Sequence, residues 1–373
     1  MTPANRFLGL DTLRGCAVIA VLVFHYLNNT SVLRTQALLP LQAATENLFY
    51  GVDLFFVLSG FFIGASLMRG RGVPGALEGY FVQRAARILP LYALWLGIFL
   101  VMVAFSFERL SGAFPWLLDS GGVPLWSYLV FGQNLASAKA GSWGPAWLGI
   151  TWTLAIEMQF YVLAAIVVAL VPVRYVGLVA LAIVVLAAEI KRHGIGGYGH
   201  PQMVLTTSRL DAPFAGVFCA WLFRFSAVQS FIARHQRLIV PTAIALMALH
   251  YGNGVYGWLS IPVSSLTLNA IVFGVAVLAF AGAASEKANP IVRGLRWCGV
   301  RCYAIYLFHV GVLGLCAHLI FNLPPNVFSP GQGWPAVIAA TFVTLALAAV
   351  SWRLIERPII AWAQAFAASR RQA

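Results

Sequence analysis

Long apolar runs separated by short polar breaks dominate the chain from residue 8 to residue 355. Ten of them approach the roughly 20 mostly apolar residues that a helix needs to cross a bilayer: 8–28, 49–69, 87–107, 149–171, 174–190, 207–225, 238–251, 267–284, 300–321 and 335–355. The runs are too long and too continuous for barrel strands, and open strands cannot cross lipid with their backbone groups unpaired. The pattern therefore predicts an all-α polytopic membrane protein, a bundle of about ten transmembrane helices. No extramembrane segment is long enough for a second domain, so residues 1–373 are expected to form a single transmembrane domain with no fused periplasmic domain. A further apolar stretch, 114–136, is broken by Gly, Pro and Asp and reads as interfacial or re-entrant structure. Arg6 before the first run resembles the start of a signal peptide. Asp11, Arg14 and His25 within that run, and the lack of a close small-residue cleavage site, favour a retained span.

Composition narrows the class. Of the 373 residues, 61% are hydrophobic and only 9% are charged, against roughly a quarter in an ordinary soluble domain. The net charge is nevertheless +13. So hydrophobic a chain is neither disordered nor a soluble nucleic-acid binder. The basic residues are unevenly placed. With ten spans, both termini lie on one side, and only Arg34, Arg109, Lys139, Lys191, Arg192 and Arg209 fall on the other; the rest of the 24 Lys and Arg share the side of the termini. The positive-inside rule puts both termini in the cytoplasm. The five cysteines are scattered, and Cys298 and Cys302 have no second pair to complete a zinc site, so no metal is assigned.

Ionisable residues inside spans are costly and mark functional candidates. Arg14 and His25 lie 11 residues apart on the first run. At about 100° and 1.5 Å per residue they share one face, about 16 Å apart along the axis. Asp11 is placed to pair with Arg14. Arg84 and Arg87 stand at the start of the third run, where paired guanidinium groups and the unbonded N–H groups of a helix start would suit a phosphate. Glu157 enters the fourth run with Tyr161 at i+4, and its depth allows a pair with His25, an arrangement that would fix the imidazole tautomer. Arg209 and Asp211, near the outer edge of the sixth run, either pair or line the outer mouth. His309, alone in mid-span, reads as a satisfied core residue, and Glu356 as a local ion pair with Arg353 and Arg357. These residues alone support two classes, a transporter with a polar path and an enzyme whose reactants meet within the bilayer.

Seven blocks then occur in order: LDTLRG at 10–15 with His25, GVDLFFVLSGFFIG at 51–64, YFVQRAARILPLY at 80–92, WTLAIEMQFY at 152–161, SRLDAPFAGVFCAWL at 208–222, CYAIYLFH at 302–309 and IERP at 355–358. Together they resemble the bacterial type 3 membrane acyltransferase family, which O-acylates sugars of extracytoplasmic glycans. Thr12, Thr153 and Met158 depart from the family pattern, and Met158 removes a second carboxylate that is frequent there. The resemblance implies an inner-membrane O-acetyltransferase with acetyl-CoA, or another short acyl-CoA, as cytoplasmic donor, and a surface or lipid-linked glycan, such as a lipopolysaccharide, as acceptor. Arg14 with His25, and Arg84 with Arg87, match the family's two motifs. Arg14, Arg84 and Arg87 would hold the donor's phosphates. His25 would act as general base or transient acyl acceptor, with Glu157 orienting it. Asp53, Ser59, Asn134, Trp152, Tyr161, Arg209 and Asp211 are the candidates to line the substrate site. Expected partners are membrane lipids, acyl-CoA, the glycan and either a second copy of the chain or a separate periplasmic protein, with no nucleic acid. The competing readings are a transporter or acyl-group channel without transferase activity, and an acyltransferase of lipid headgroups.

Overall fold

A computed structural model describes residues 8–28, 30–33, 36–109, 115–258, 264–282, 289–328 and 333–371. Arg6, Arg34 and Lys287 of the charge count, residue 114 of the interrupted stretch and the last residues of the 267–284 run lie outside them. Among the described residues there is no strand. The helices are α1 (Leu8–Asn28), α2 (Leu39–Glu46), α3 (Gly51–Gly70), α4 (Ala76–Arg109), α5 (Pro115–Leu118), α6 (Trp126–Leu129), α7 (Gln133–Ala140), α8 (Trp152–Leu170), α9 (Val173–Arg192), α10 (His200–Val204), α11 (Thr206–Arg209), α12 (Asp211–Leu222), α13 (Ser226–Tyr256), α14 (Ser265–Ala281), α15 (Pro290–Val300), α16 (Cys302–Phe321), α17 (Trp334–Ser351) and α18 (Arg357–Ser369). Among the described residues, eight helical runs are long and apolar enough to cross a membrane, and α12 and α14 are shorter apolar helices. The ten expected runs each coincide with one of these. The chain is an all-α polytopic membrane protein.

Several boundaries differ from the apolar pattern for local reasons. Helix α4 begins at Ala76, well before the apolar run, because Pro74 and the left-handed Gly75 (φ +65°) end the preceding turn and the polar first turns are still helical. Helix α13 extends far beyond 238–251, with a non-helical His235 at its kink and Pro241 within it; its first half is polar and so carries little apolar signal. The 207–225 run breaks at Leu210 into α11 and α12. The 114–136 stretch folds into short helices of at most eight residues, separated by left-handed Gly121, Gly122 and Phe131, and no segment of it is long enough to span.

The chain divides into two compact units. The first gathers the described residues within Met1–Ala20, Tyr50–Arg71 and Leu154–Val300. Its centre is α3 against α12, with α9 and α14 alongside. The α3–α12 crossing is close because glycines meet backbone there: a Cβ on Gly60 would strike the Pro213 carbonyl, and one on Gly216 the Val57 carbonyl. The second unit gathers the described residues within Val21–Phe49, Gly72–Thr153 and Arg301–Ala373. In it α16 packs on α17 and α4, and α18 on α4. Gly79 of α4 lets Ala367 of α18 approach. Gly311 of α16 admits Trp95 and Trp147, whose rings stack with centroids 3.9 Å apart.

Candidate functional site

In the second unit the site is built around the last turns of α1. His25 is half-buried on α1, and its Nδ1 lies 2.9 Å from the Val21 carbonyl one turn back. The same Nδ1 is 3.1 Å from Nε2 of His309 on α16, and the two rings meet edge to face at 4.8 Å. His309 is buried, and its Nδ1 is 2.6 Å from the Tyr306 carbonyl. The neighbouring Tyr26 hydroxyl lies 3.2 Å from the His309 carbonyl and 2.9 Å from the Thr344 hydroxyl, tying α1, α16 and α17 together at this level. Within its unit, His25 thus has an imidazole as side-chain partner. From the sequence alone His309 reads as a core residue; the CYAIYLFH block that contains it is the available signal.

Asn134 and Trp152 are buried in the same unit. Next to Asn134, Gln133 donates through Nε2 to the Thr151 carbonyl, which fixes α7 against the start of α8, and Trp152 packs 6.0 Å from Trp143. Thr153, one of the departures from the family pattern, keeps its hydroxyl 3.0 Å from that of Tyr306.

Arg84 and Arg87 are half-buried on α4, about two to three turns after its start. The expected help from the N–H groups of a helix start is therefore not available to them. Arg84 faces the Tyr80 ring at 6.0 Å, and its buried Nε makes no hydrogen bond among the described residues. A buried donor of this kind suits an anionic ligand. Arg87 lies 4.0 Å from the Cys302 sulfur through Nη2.

Glu356 departs from the expected local pair. A π-helical turn over Trp352–Glu356 carries its carboxylate inward, where it accepts from Ser351 at 3.1 Å, and Arg87 and Arg301 supply the facing charge. Arg353 and Arg357 are exposed. A straight helix count does not foresee the extra residue of a π turn.

In the first unit Glu157 on α8 receives two hydroxyl donors on one oxygen, Ser59 of α3 at 2.7 Å and Tyr161 of its own helix at 2.5 Å. Both donors were among the candidates, and the i+4 relation to Tyr161 holds. Asp53, Arg209 and Asp211 are also brought together here, in an unexpected pairing. Arg209 does not pair with Asp211. It donates to Asp53, which also accepts from Asn269 of α14 at 2.8 Å, and Asn269 in turn meets His250. Asp211 pairs with Lys191 at the end of α9. The side chains of both ion pairs are at most 3% exposed. Lys191 and Asn269 were missed, because each is the distant half of a contact between helices. Arg14 pairs with Asp11 at 3.2 Å, as expected, and lies over the Phe62 ring at 4.1 Å.

Outside the spans, burial pushes the Tyr128 phenol above its ordinary value, so it stays a neutral packing group of the short helices after α4. Among the described residues no cluster of His, Cys, Asp and Glu could hold a metal ion.

The acyltransferase-domain family matches residues 7–353. The peptidoglycan O-acetyltransferase OatA of Listeria monocytogenes is 26% identical over 369 residues, which cover 94% of this chain and 55% of OatA. The exopolysaccharide production protein ExoZ of Rhizobium meliloti is 28% identical over 317 residues, covering 83% of this chain and 89% of ExoZ. The chain thus spans about half the length of OatA. No solved structure matches it.

Proposed function

The chain belongs to the acyltransferase-domain family, and from that premise we propose that it is an O-acetyltransferase of the bacterial inner membrane. It takes an acetyl group from cytoplasmic acetyl-CoA, or another short acyl-CoA, to a sugar hydroxyl of a glycan on the outer side. The observation that carries this reading is the imidazole of His25, half-buried on a membrane helix and held through Nδ1 alone, in a chain whose relatives include a peptidoglycan O-acetyltransferase. The donor is a polyanion, and Arg14, Arg84 and Arg87 are the basic residues of the family motifs assigned to its phosphates.

The reaction balances without a further reagent. The sugar hydroxyl gives its proton to Nε2 of His25 as its oxygen attacks the thioester carbonyl. The carbon–sulfur bond breaks, and the proton passes from Nε2 to the departing thiolate. Glu157, held by Ser59 and Tyr161, is assigned the balancing negative charge; Asn134 and Trp152 are assigned to the acceptor's binding. Membrane lipids surround the chain, and a second copy or a separate periplasmic protein is the proposed partner for delivery to the glycan.

His25→Ala tests the reading. Glycan acetylation in cells should fall to the level of a deletion strain while the protein still accumulates in the membrane. Mass spectrometry of surface glycans and of lipids from the deletion strain reads the acceptor at the same time. Acetyl lost from lipid headgroups would assign the enzyme to lipids, and full acetylation in the His25→Ala strain would overturn the assignment of His25 as the base.

A further inference from the structure

The hydrogen bonds around the two histidines have only one consistent assignment of protons. The Tyr306 carbonyl can only accept, so Nδ1 of His309 carries a proton and donates to it. A neutral imidazole has one N–H, so Nε2 of His309 presents a lone pair. That lone pair faces Nδ1 of His25 at 3.1 Å, and the Val21 carbonyl, again only an acceptor, faces the same atom at 2.9 Å. Nδ1 of His25 therefore carries its proton, shared between two acceptors. The remaining ring nitrogen of His25, Nε2, makes no hydrogen bond among the described residues and is left with the lone pair that a general base needs.

We infer that His309 is a positioning residue of the transfer reaction, which locks His25 in the Nδ1–H tautomer and stabilises its imidazolium when Nε2 takes the acceptor's proton. The inference rests on the reading of His25 as the base. Two features fit it beyond the pair distance. His309 is 1% exposed whereas His25 is half-buried, so of the two rings only that of His25 keeps surface for a substrate. The backbone of His309 is itself held by the Tyr26 hydroxyl on the helix that carries His25, so both rings are referenced to one helix. The Val21 carbonyl alone would favour the same tautomer, but it cannot hold the ring plane against rotation, and it cannot take up positive charge. The arrangement does with a neutral imidazole what a carboxylate does in other base–orienter pairs.

The test uses the full chain in lipid nanodiscs with acetyl-CoA and a soluble glycan acceptor. His309→Leu removes the acceptor atom and should lower kcat about 10²-fold or more, the range of a positioned general base, with KM for both substrates nearly unchanged. His309→Gln can place its amide oxygen where Nε2 stands, and should recover most of that loss. A readout independent of turnover is the ¹⁵N spectrum of ring-labelled histidine, with His25 assigned through His25→Ala. Its Nδ1–H signal should persist in His309→Gln and give way to a mixture of tautomers in His309→Leu. If His309→Leu and His309→Gln behave alike in both measurements, His309 is a packing residue and the inference is overturned. If His25→Ala abolishes turnover while His309→Leu leaves it whole, the transferase reading stands and only the positioning role falls. If both variants stay fully active, the reading of His25 as base fails with it.

Discussion

An ionisable side chain within a membrane span invites a functional assignment, and Asp53, Arg209 and Asp211 show what that inference can and cannot reach. From sequence they are candidates to line the substrate site. In the structure Asp53 faces Arg209 and Asp211 faces Lys191, each pair buried within one unit. A charge neutralised this way contributes first to holding helices: Asp53 joins α3 to α11 and, through Asn269, to α14. Removing one partner leaves the other buried and uncompensated, at a cost of about 3–5 kcal/mol. Asp53→Ala should therefore lower the melting temperature in detergent sharply, and Asp53→Leu combined with Arg209→Met should recover much of the loss. A variant Asp53→Ala of unchanged stability but weakened acceptor binding would return the residue to the substrate site. The chemistry of each residue was legible in the sequence, but its partner was not. Glu157 with Tyr161 and Arg14 with Asp11 were foreseen because both halves sit on one helix at i+4 and i+3. Asp211 with Lys191, and His25 with His309, join positions remote along the chain, and one sequence holds no record of such meetings.

At the scale of the element, the apolar pattern located the membrane helices because bilayer thickness sets their length and lipid forbids unpaired backbone. It could not locate their polar extensions. Helix α4 starts well ahead of its apolar run, and α17, ending at Ser351, continues through a π turn into α18. How helices pack depends on small residues, which a hydropathy pattern cannot distinguish from other apolar ones. In α3 the pair Gly60 and Gly64, spaced by four, faces α12, where Gly216 lies against Val57 and Phe61. Close approach of this kind is a main source of helix association where lipid removes the hydrophobic drive between helices. Gly60→Val places side-chain atoms against the Pro213 carbonyl. It should destabilise the unit by about 1–3 kcal/mol or more, read as reduced accumulation and a lower melting temperature. Gly97→Ala is the control: a Cβ there meets nothing within 4 Å, so the protein should accumulate at the wild-type level. Equal loss in both variants would mean that helix propensity and insertion, not the α3–α12 crossing, set the outcome.

For the whole molecule, the net charge of +13 joins topology to chemistry. The proposed donor, acyl-CoA, is too polar to cross lipid, so the arginines assigned to it would have to open to the cytoplasm. The positive-inside rule predicts that side for Arg14, Arg84 and Arg87 from the crowding of Lys and Arg on the side of the termini. Orientation therefore tests the functional reading as well as the topology. A fluorescent protein fused after Ala373 should fluoresce, and alkaline phosphatase at the same point should be inactive, as both require for a cytoplasmic C-terminus. Alkaline phosphatase inserted after Pro324, in the uncharged connection between α16 and α17, should be active. The reverse result would put Arg84 and Arg87 outside. They could then bind an anionic glycan or lipid headgroup but not the donor, and the assignment of Arg84 and its unbonded Nε to a CoA phosphate would have to be abandoned. With the expected orientation, Arg14 would stand near the cytoplasmic end of α1, on the side of the proposed donor.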